Sequence, residues 1–141
     1  MAEANTAPFY INVEGEVTGE KFPGDFEVKK RLHHADNLRK DQVRRQLLGG
    51  QSGEPSARAA SIALILSELA VRIVSAPKWW TESEGGLKLE DDDVIGKVYD
   101  EAMRIEREAA EARKKRAEKA VEEMRAEAAK KKAESDKPIE G

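Results

Sequence analysis

The chain has 141 residues, 38% of them charged, a formal net charge of −3 and no cysteine. Without cysteine, a disulfide framework and thiolate metal ligation are excluded. A net charge this close to zero also argues against binding to nucleic acid or anionic lipid through the field of the whole molecule. The beginning MAEANTAPFY has no signal-like apolar run, and the most apolar segment (residues 60–74) is shorter than the ~20 residues of a membrane span.

Two stretches near the beginning alternate apolar and polar residues, the pattern of half-buried strands. The apolar positions are Phe9, Ile11, Val13 and Val17 in the first stretch, and Phe26, Val28 and Leu32 in the second. The intervening TGEKFPGD is rich in turn residues. The sequence therefore predicts an antiparallel hairpin over residues 9–32, which needs a helix to pack on because isolated hairpins are marginally stable.

Two helices are predicted next. The first spans HADNLRKDQVRRQLLGG, with Asp36 as its cap, a thin apolar stripe and Gly49–Gly50 as its stop. The second, Ser56–Ser75, is apolar around most of its circumference, apart from a narrow polar stripe. That stripe consists of Arg58, Ser61, Glu68 and Arg72. Such a helix must be covered on several sides, either by the C-terminal helix or by another subunit.

A third helix is predicted from Val94 onward. Its apolar stripe consists of Val94, Ile95, Val98, Ala102, Ile105 and Ala109. Beyond Ala110 the stripe ends, and the large apolar residues of the tail are Val121, Met124 and Ile139. Pairs of opposite charge favour a solvated helix there, and the seam of a coiled coil is missing. We expect this tail to act as an interaction arm, with Val121 and Met124 docking into a neighbour.

Both tryptophans lie in the segment APKWWTESEGGLKLEDDD. Adjacent indoles are able to stack on sugars or bases. The favoured interpretation is structural: one indole plugs the core and the other is half exposed. Because Pro77 ends the preceding helix, Trp79 is expected to be the plug and Trp80 to contact a protein partner.

Other polar clusters do not predict a metal, a cofactor or a catalytic residue. Calcium loops need spaced carboxylates, so the run Glu90–Asp93 favours helix capping, by Asp92 or Asp93, over cation binding. His33 and His34 are adjacent and lack the further ligands that a metal site needs. They are expected at the junction of strand and helix.

A basic window runs from Lys29 to Arg45, where seven lysines or arginines accompany two aspartates. Such a window fits either the phosphates of nucleic acid or an acidic protein surface. It lacks the interleaved aromatic residues of a single-strand binder, which disfavours nucleic acid. The candidate contact residues are Lys29, Lys30, Arg44 and Arg45.

The order of these segments resembles that of a known group of proteins. FEVKKRLHHADNLRKDQVRRQLLGG is followed by ARAASIALILSELAVRIVSAP, WW, GGL and LEDDDVIGKVYDEAM. This layout resembles small proteins from the structural gene clusters of tailed bacteriophages, and is similar to tail assembly chaperones and accessory virion proteins. It covers roughly residues 9–105. The resemblance implies a non-enzymatic protein that binds itself or other phage structural proteins, in the host cytoplasm during assembly and then in the virion.

Together these observations predict an α+β fold with an N-terminal β-hairpin packed on two core helices, followed by a long charged C-terminal helix. The expected divisions are an N-terminal tail (1–8), a small α+β domain (9–110) and a charged helical arm (111–141). Two alternative functions stay open. One is a tail assembly chaperone that holds an apolar helix on Ser56–Ser75, and the other is a nucleic-acid-binding module that uses the basic window.

Overall fold

The computed structural model describes residues 4–49 and 53–135. The predicted α+β fold is confirmed, with an antiparallel hairpin, helices packed on it and a long C-terminal helix. In chain order, the elements are β1 (Thr6–Glu14), β2 (Lys21–Lys29), α1 (His34–Leu47), α2 (Ala57–Arg72), β3 (Ile73–Ser75), α3 (Lys78–Glu82) and α4 (Asp92–Ser135). The first strand thus includes residues 6–8, which the sequence assigned to the N-terminal tail.

The sheet has the order β1-β2-β3, with both neighbouring pairs antiparallel. Phe9 lies opposite Phe26, and their rings stack with centroids 5.0 Å apart. The alternation therefore predicted the buried face of the hairpin correctly. Val17 and Leu32 are exceptions. Val17 lies in the turn after β1 and is 67% exposed, and Leu32 lies after β2 has ended at Lys29, so neither continues that face. The predicted turn was also too long, because residues 21–25 belong to β2.

The end of the second predicted helix is wrong. The helix begins as expected, with the Ser56 hydroxyl accepting a hydrogen bond from the Ala59 N–H at 3.1 Å, but it ends at Arg72. The next three residues form β3 and pair with β2. β-Branched Ile73 and Val74 favour extended backbone, and the edge of β2 offers unpaired peptide groups. Pairing with that edge therefore replaces the last turn of the helix.

The core lies between the sheet, α2 and the first part of α4. Its buried residues include Phe9, Ile11, Phe26, Val28, Leu69, Trp80, Val98, Ala102 and Ile105. The predicted stripe of α4 supplies three of them, and Val94 is also fully buried. The C-terminal helix therefore provides part of the cover that the apolar α2 needs.

Helix α1 is held mainly by polar contacts and contains no buried residue; Leu38 is 70% exposed. The predicted cap is wrong, because His33 occupies the N-cap position and Asp36 lies in the first turn. The Asp36 carboxylate accepts hydrogen bonds from Lys29 Nζ at 2.8 Å and from the His33 N–H at 3.0 Å, which hold the pKa of Asp36 below its usual range. Gly49 follows the helix with φ of 69°, the left-handed stop expected there, and Gly50 lies outside the described residues.

Contacts divide the chain into two compact units, Met1–Glu106 and Arg107–Gly141. In the second unit, residues 107–135 are helical and almost all exposed, including Val121 at 46% and Met124 at 69%. Ile139 lies outside the described residues. None of the described helices is long and apolar enough to cross a membrane.

Candidate functional site

Two side chains of the polar stripe of α2 are buried in the protein. Glu68 and Arg72 are buried, whereas Ile62 and Leu64 on the N-terminal half are 39% and 51% exposed. The position of the polar stripe therefore does not mark the exposed side of this helix. Its C-terminal half is fixed in the core, and its N-terminal half carries apolar surface to the outside.

The buried guanidinium of Arg72 joins several elements. It donates to the Lys29 carbonyl at 2.8 Å and to Glu68 Oε1 at 2.9 Å, and it lies 3.3 Å from Glu106 Oε1. Its Nε has no hydrogen-bond partner among the described residues. Charges that leave water need such a set of partners, so Arg72 fixes α2 against β2 and α4 at one geometry.

Glu68 extends this network to α1, because Lys40 Nζ lies 2.9 Å from its Oε2. Burial opposes ionisation of Glu68, but the hydrogen bonds from Lys40 and Arg72 outweigh burial and lower its pKa. Glu68 is therefore ionised at neutral pH, and both of its oxygens are committed to holding α1 and α2 together.

Above this fixed half, α2 borders an apolar groove of about 380 Å³. The other walls are residues 86–89 and the first turns of α4. The apolar lining consists of Ile62, Ile65, Leu66, Leu87, Leu89 and Ile95. A second hollow of about 220 Å³, between α1 and α2, shares Ile62, Leu66 and Leu87 with it. The two hollows therefore form one apolar surface, which we call the α2 groove.

The walls of the α2 groove are set by glycines. Gly86 has φ of 89°, and a Cβ there would come within 2.8 Å of Trp80 Cη2, so only glycine lets the chain pass this close to the indole. The next residue, Leu87, is held half exposed at 50%. Gly96 on α4 has open space where a Cβ would stand. The tight turn thus presents Leu87, while Gly96 leaves room beside it.

Charged residues border the apolar lining. Arg58 Nη2 lies 3.2 Å from Asp92 Oδ2, and the two side chains are 80% and 70% exposed. A pair this exposed contributes little stability and is easily exchanged for other partners. An apolar lining with a charged rim is typical of surfaces that bind proteins.

The predicted order of the two tryptophans is wrong. Trp80 is the buried indole, at 4% exposure, whereas Trp79 is half-buried and donates its Nε1–H to the Pro23 carbonyl at 2.7 Å. That carbonyl lies on β2 beyond the residues that pair with β3. A Cβ at Gly24 would overlap the side chain of Pro77, so the tryptophan segment packs directly on the strand. The sequence analysis placed Gly24 in the turn, whereas it lies within β2, where a glycine permits such a close approach.

Several cations of the basic window pair with nearby carboxylates. Lys29 pairs with Asp36 at 2.8 Å, and Arg44 and Arg45 both contact Asp41 at 2.7 Å. The Arg44 hydrogen bond is the main cause of the lowered pKa of Asp41. Three of the four predicted contact residues are therefore engaged with carboxylates. For Lys30, the structure records a backbone hydrogen bond from its N–H to the Asn5 carbonyl at 2.7 Å.

The acidic run serves the fold in a way that the sequence did not reveal. Capping by Asp92 or Asp93 is wrong, because α4 begins at Asp92 and the carbonyl of Asp91 accepts from the Val94 N–H. The buried Asp91 carboxylate instead accepts three hydrogen bonds from the turn after β1: Thr18 Oγ1 at 2.6 Å, Val17 N at 2.7 Å and Thr18 N at 3.0 Å. These contacts, the Thr18 hydroxyl first, lower the pKa of Asp91.

The same contact explains a glycine in the turn, since a Cβ at Gly15 would overlap the Asp91 carboxylate. His33 and His34 lie at the junction of β2 and α1, as predicted, and are exposed. Within residues 4–49 and 53–135, no group of three or more metal-binding side chains is placed to hold an ion.

No protein-family model, curated protein or solved structure matches this chain. Its function is therefore argued from the geometry and chemistry of its own surfaces, and the α2 groove is the candidate site. The sequence pointed to the helix that borders the groove, but not to Leu87, whose exposure depends on the turn at Gly86.

Proposed function

We propose that this chain is a non-enzymatic interaction protein that binds an apolar helix of another protein molecule in the α2 groove. The observation that carries the proposal is the continuous apolar lining around Leu87 and Ile62, which are 50% and 39% exposed. An apolar helix that enters such a groove removes apolar area from both partners, worth about 25 cal/mol per Å².

The ionisable groups support a non-enzymatic role. The carboxyl groups with lowered pKa are Asp36, Asp41, Glu68, Asp91 and Glu101. Each of them is bonded to a neighbouring side chain or backbone group that it helps to position. A general acid or base needs instead a pKa near the working pH and a free face toward a substrate.

The resemblance to tailed-phage proteins suggests the setting. In that setting the chain is an accessory virion component, and its groove binds a second copy of the chain or another structural protein. The tail assembly chaperone remains the second candidate, since it would use the same apolar face of α2 to hold a helix before assembly. Nucleic acid is disfavoured because the basic window lacks the interleaved aromatic residues of a single-strand binder.

Site-specific photo-cross-linking tests the proposal. A photoreactive residue replaces Leu87 in cells that make the protein in its natural setting, and the matched control replaces Leu38, which is 70% exposed on α1 and outside the groove lining. We expect discrete adducts to one or two proteins from position 87 only, mapped to an apolar helical segment. Adducts of equal yield and identity from both positions would contradict the proposal.

Mass spectrometry of purified particles separates the two phage roles. A virion component is expected in stoichiometric amount, whereas a chaperone is expected to be absent from mature particles. Because both roles use the groove, this measurement leaves the cross-linking result unaffected.

A further inference from the structure

We propose that the α2 groove binds the C-terminal helix of a second copy of this chain, through the face of residues 117–128. This inference rests on the proposed function and names the partner of that site. It joins two surfaces that are each described within their own unit: the apolar groove of the first unit and the exposed apolar face of the second.

The apolar face lies on one side of α4. Ala117, Val121, Met124 and Ala128 recur at steps of four, three and four residues, so they share a single helical stripe. Val121 and Met124 are 46% and 69% exposed, and both alanines are exposed. Small residues on either side of two larger ones let a helix approach closely while the larger side chains enter a hollow. We call these four residues the tail stripe.

The groove suits these side chains. Its lining of leucine and isoleucine offers apolar contact along its length, and a volume of about 380 Å³ admits more than one side chain. Methionine is unbranched and adapts to irregular hollows, which fits Met124 to a groove with open space beside Gly96. Docking would cover Leu87 and Met124 in the same contact.

Charge favours the same pairing. Basic pairs border the tail stripe at both ends, Arg113–Lys114 and Lys131–Lys132. The rim of the groove carries Asp92, and Glu90 precedes it in the chain. Among the cations nearby, Arg58 pairs with Asp92 itself, Lys88 lies 3.5 Å from Glu84 and Lys97 lies 3.4 Å from Glu101. A docked basic helix end gives these acids additional partners, so association is expected to weaken as salt is raised.

Mixed cysteine cross-linking tests the inference on the full chain, which has no cysteine of its own. Leu87→Cys and Met124→Cys are made as separate proteins, mixed and oxidised, so a disulfide between the two variants joins two copies. The control mixture pairs Leu38→Cys with Met124→Cys. All three sites are at least half exposed, so the variants are expected to fold. We expect the 87–124 heterodimer to form at least about tenfold faster than the 38–124 heterodimer, because docking raises the effective concentration.

The outcomes are separable. Adding Val121→Asp to the Met124→Cys protein should remove the excess rate, because it places a charge in the apolar contact. Equal rates for the two mixtures overturn the inference. If position 87 still yields adducts to another protein, the proposed function stands and only its partner is wrong. If a chain carrying both cysteines closes a disulfide within itself while the mixture does not react, the occupant is the chain's own helix and the second copy is excluded.

Discussion

Replacement of Arg72 by methionine tests the network that fixes α2. Arg72 is 1% exposed, and removing one partner of a buried ion pair typically costs roughly 3–5 kcal/mol. For Arg72 we expect a loss at the lower end of this range, for two reasons. Glu68 keeps Lys40 at 2.9 Å, and Glu106 is 41% exposed and regains water. The Lys29 carbonyl loses its 2.8 Å donor, so we expect the free energy of unfolding to fall by about 3 kcal/mol.

Thermal unfolding followed by circular dichroism measures this change. At about 4–8 °C per kcal/mol for a domain of this size, the unfolding temperature of Arg72→Met should fall by roughly 12 °C or more. The matched control is Arg45→Met, whose pair with Asp41 is exposed and should matter little. An Arg72→Met protein within about 1 kcal/mol of wild type would refute this account of the network.

Three further predictions concern the fold that carries the groove. Because the folded pKa of Asp91 is lowered, its contribution to stability is present above the usual pKa near 4 and is lost as pH falls through the folded value. Asp91→Asn should therefore flatten the acid dependence of unfolding below about pH 4, and an unchanged profile would contradict the role of the turn contact. Gly24→Ala should lower the free energy of unfolding by about 1–3 kcal/mol, because the new Cβ overlaps Pro77. Gly96→Ala meets open space and should stabilise α4 by up to about 1 kcal/mol. Equal effects of the two substitutions in denaturant unfolding would argue against the packing described. A chain ending at Ala110 should unfold within a few degrees of the full chain, because Val121 and Met124 are exposed, and a fall of many degrees would show that the tail packs on its own domain.

The elements that could be predicted from the sequence are those in which one face meets water. Phe9 and Ile11 alternate with polar residues because β1 has one buried face, and the stripe from Val94 to Ile105 marks the buried side of α4 for the same reason. In these elements polarity and exposure coincide, so periodicity alone is sufficient.

The features that were missed depend on partners distant in sequence. Arg72 is buried because Lys29 and Glu106 join its i,i+4 neighbour Glu68 around it, and the local pattern contains only Glu68. Asp91 is a neighbour of α4 in sequence, yet its carboxylate bonds to a turn more than seventy residues earlier. The order of the tryptophans and the strand β3 likewise follow from the edge of β2.

The α2 groove also has one part that the local sequence pattern predicted and one part that it did not. Its helix was predicted as one that must be covered on several sides, and the structure locates the uncovered part at Ile62 and Leu64. The contribution of Leu87 could not be predicted, because its exposure depends on the close contact between the backbone at Gly86 and the indole of Trp80. Which residues of an apolar helix are left exposed is decided by the elements that happen to reach it.

Hydrogen exchange tests the central claim, that the α2 groove is a protein-binding surface. Amide exchange is measured by mass spectrometry on the isolated chain and on the chain in the complex or particle recovered from its natural setting. We expect slower exchange over residues 86–89, the wall of the groove that lies outside a long helix, with unchanged exchange around Leu38 on α1. Equal exchange over residues 86–89 in both states, with protection elsewhere on the chain, would contradict it.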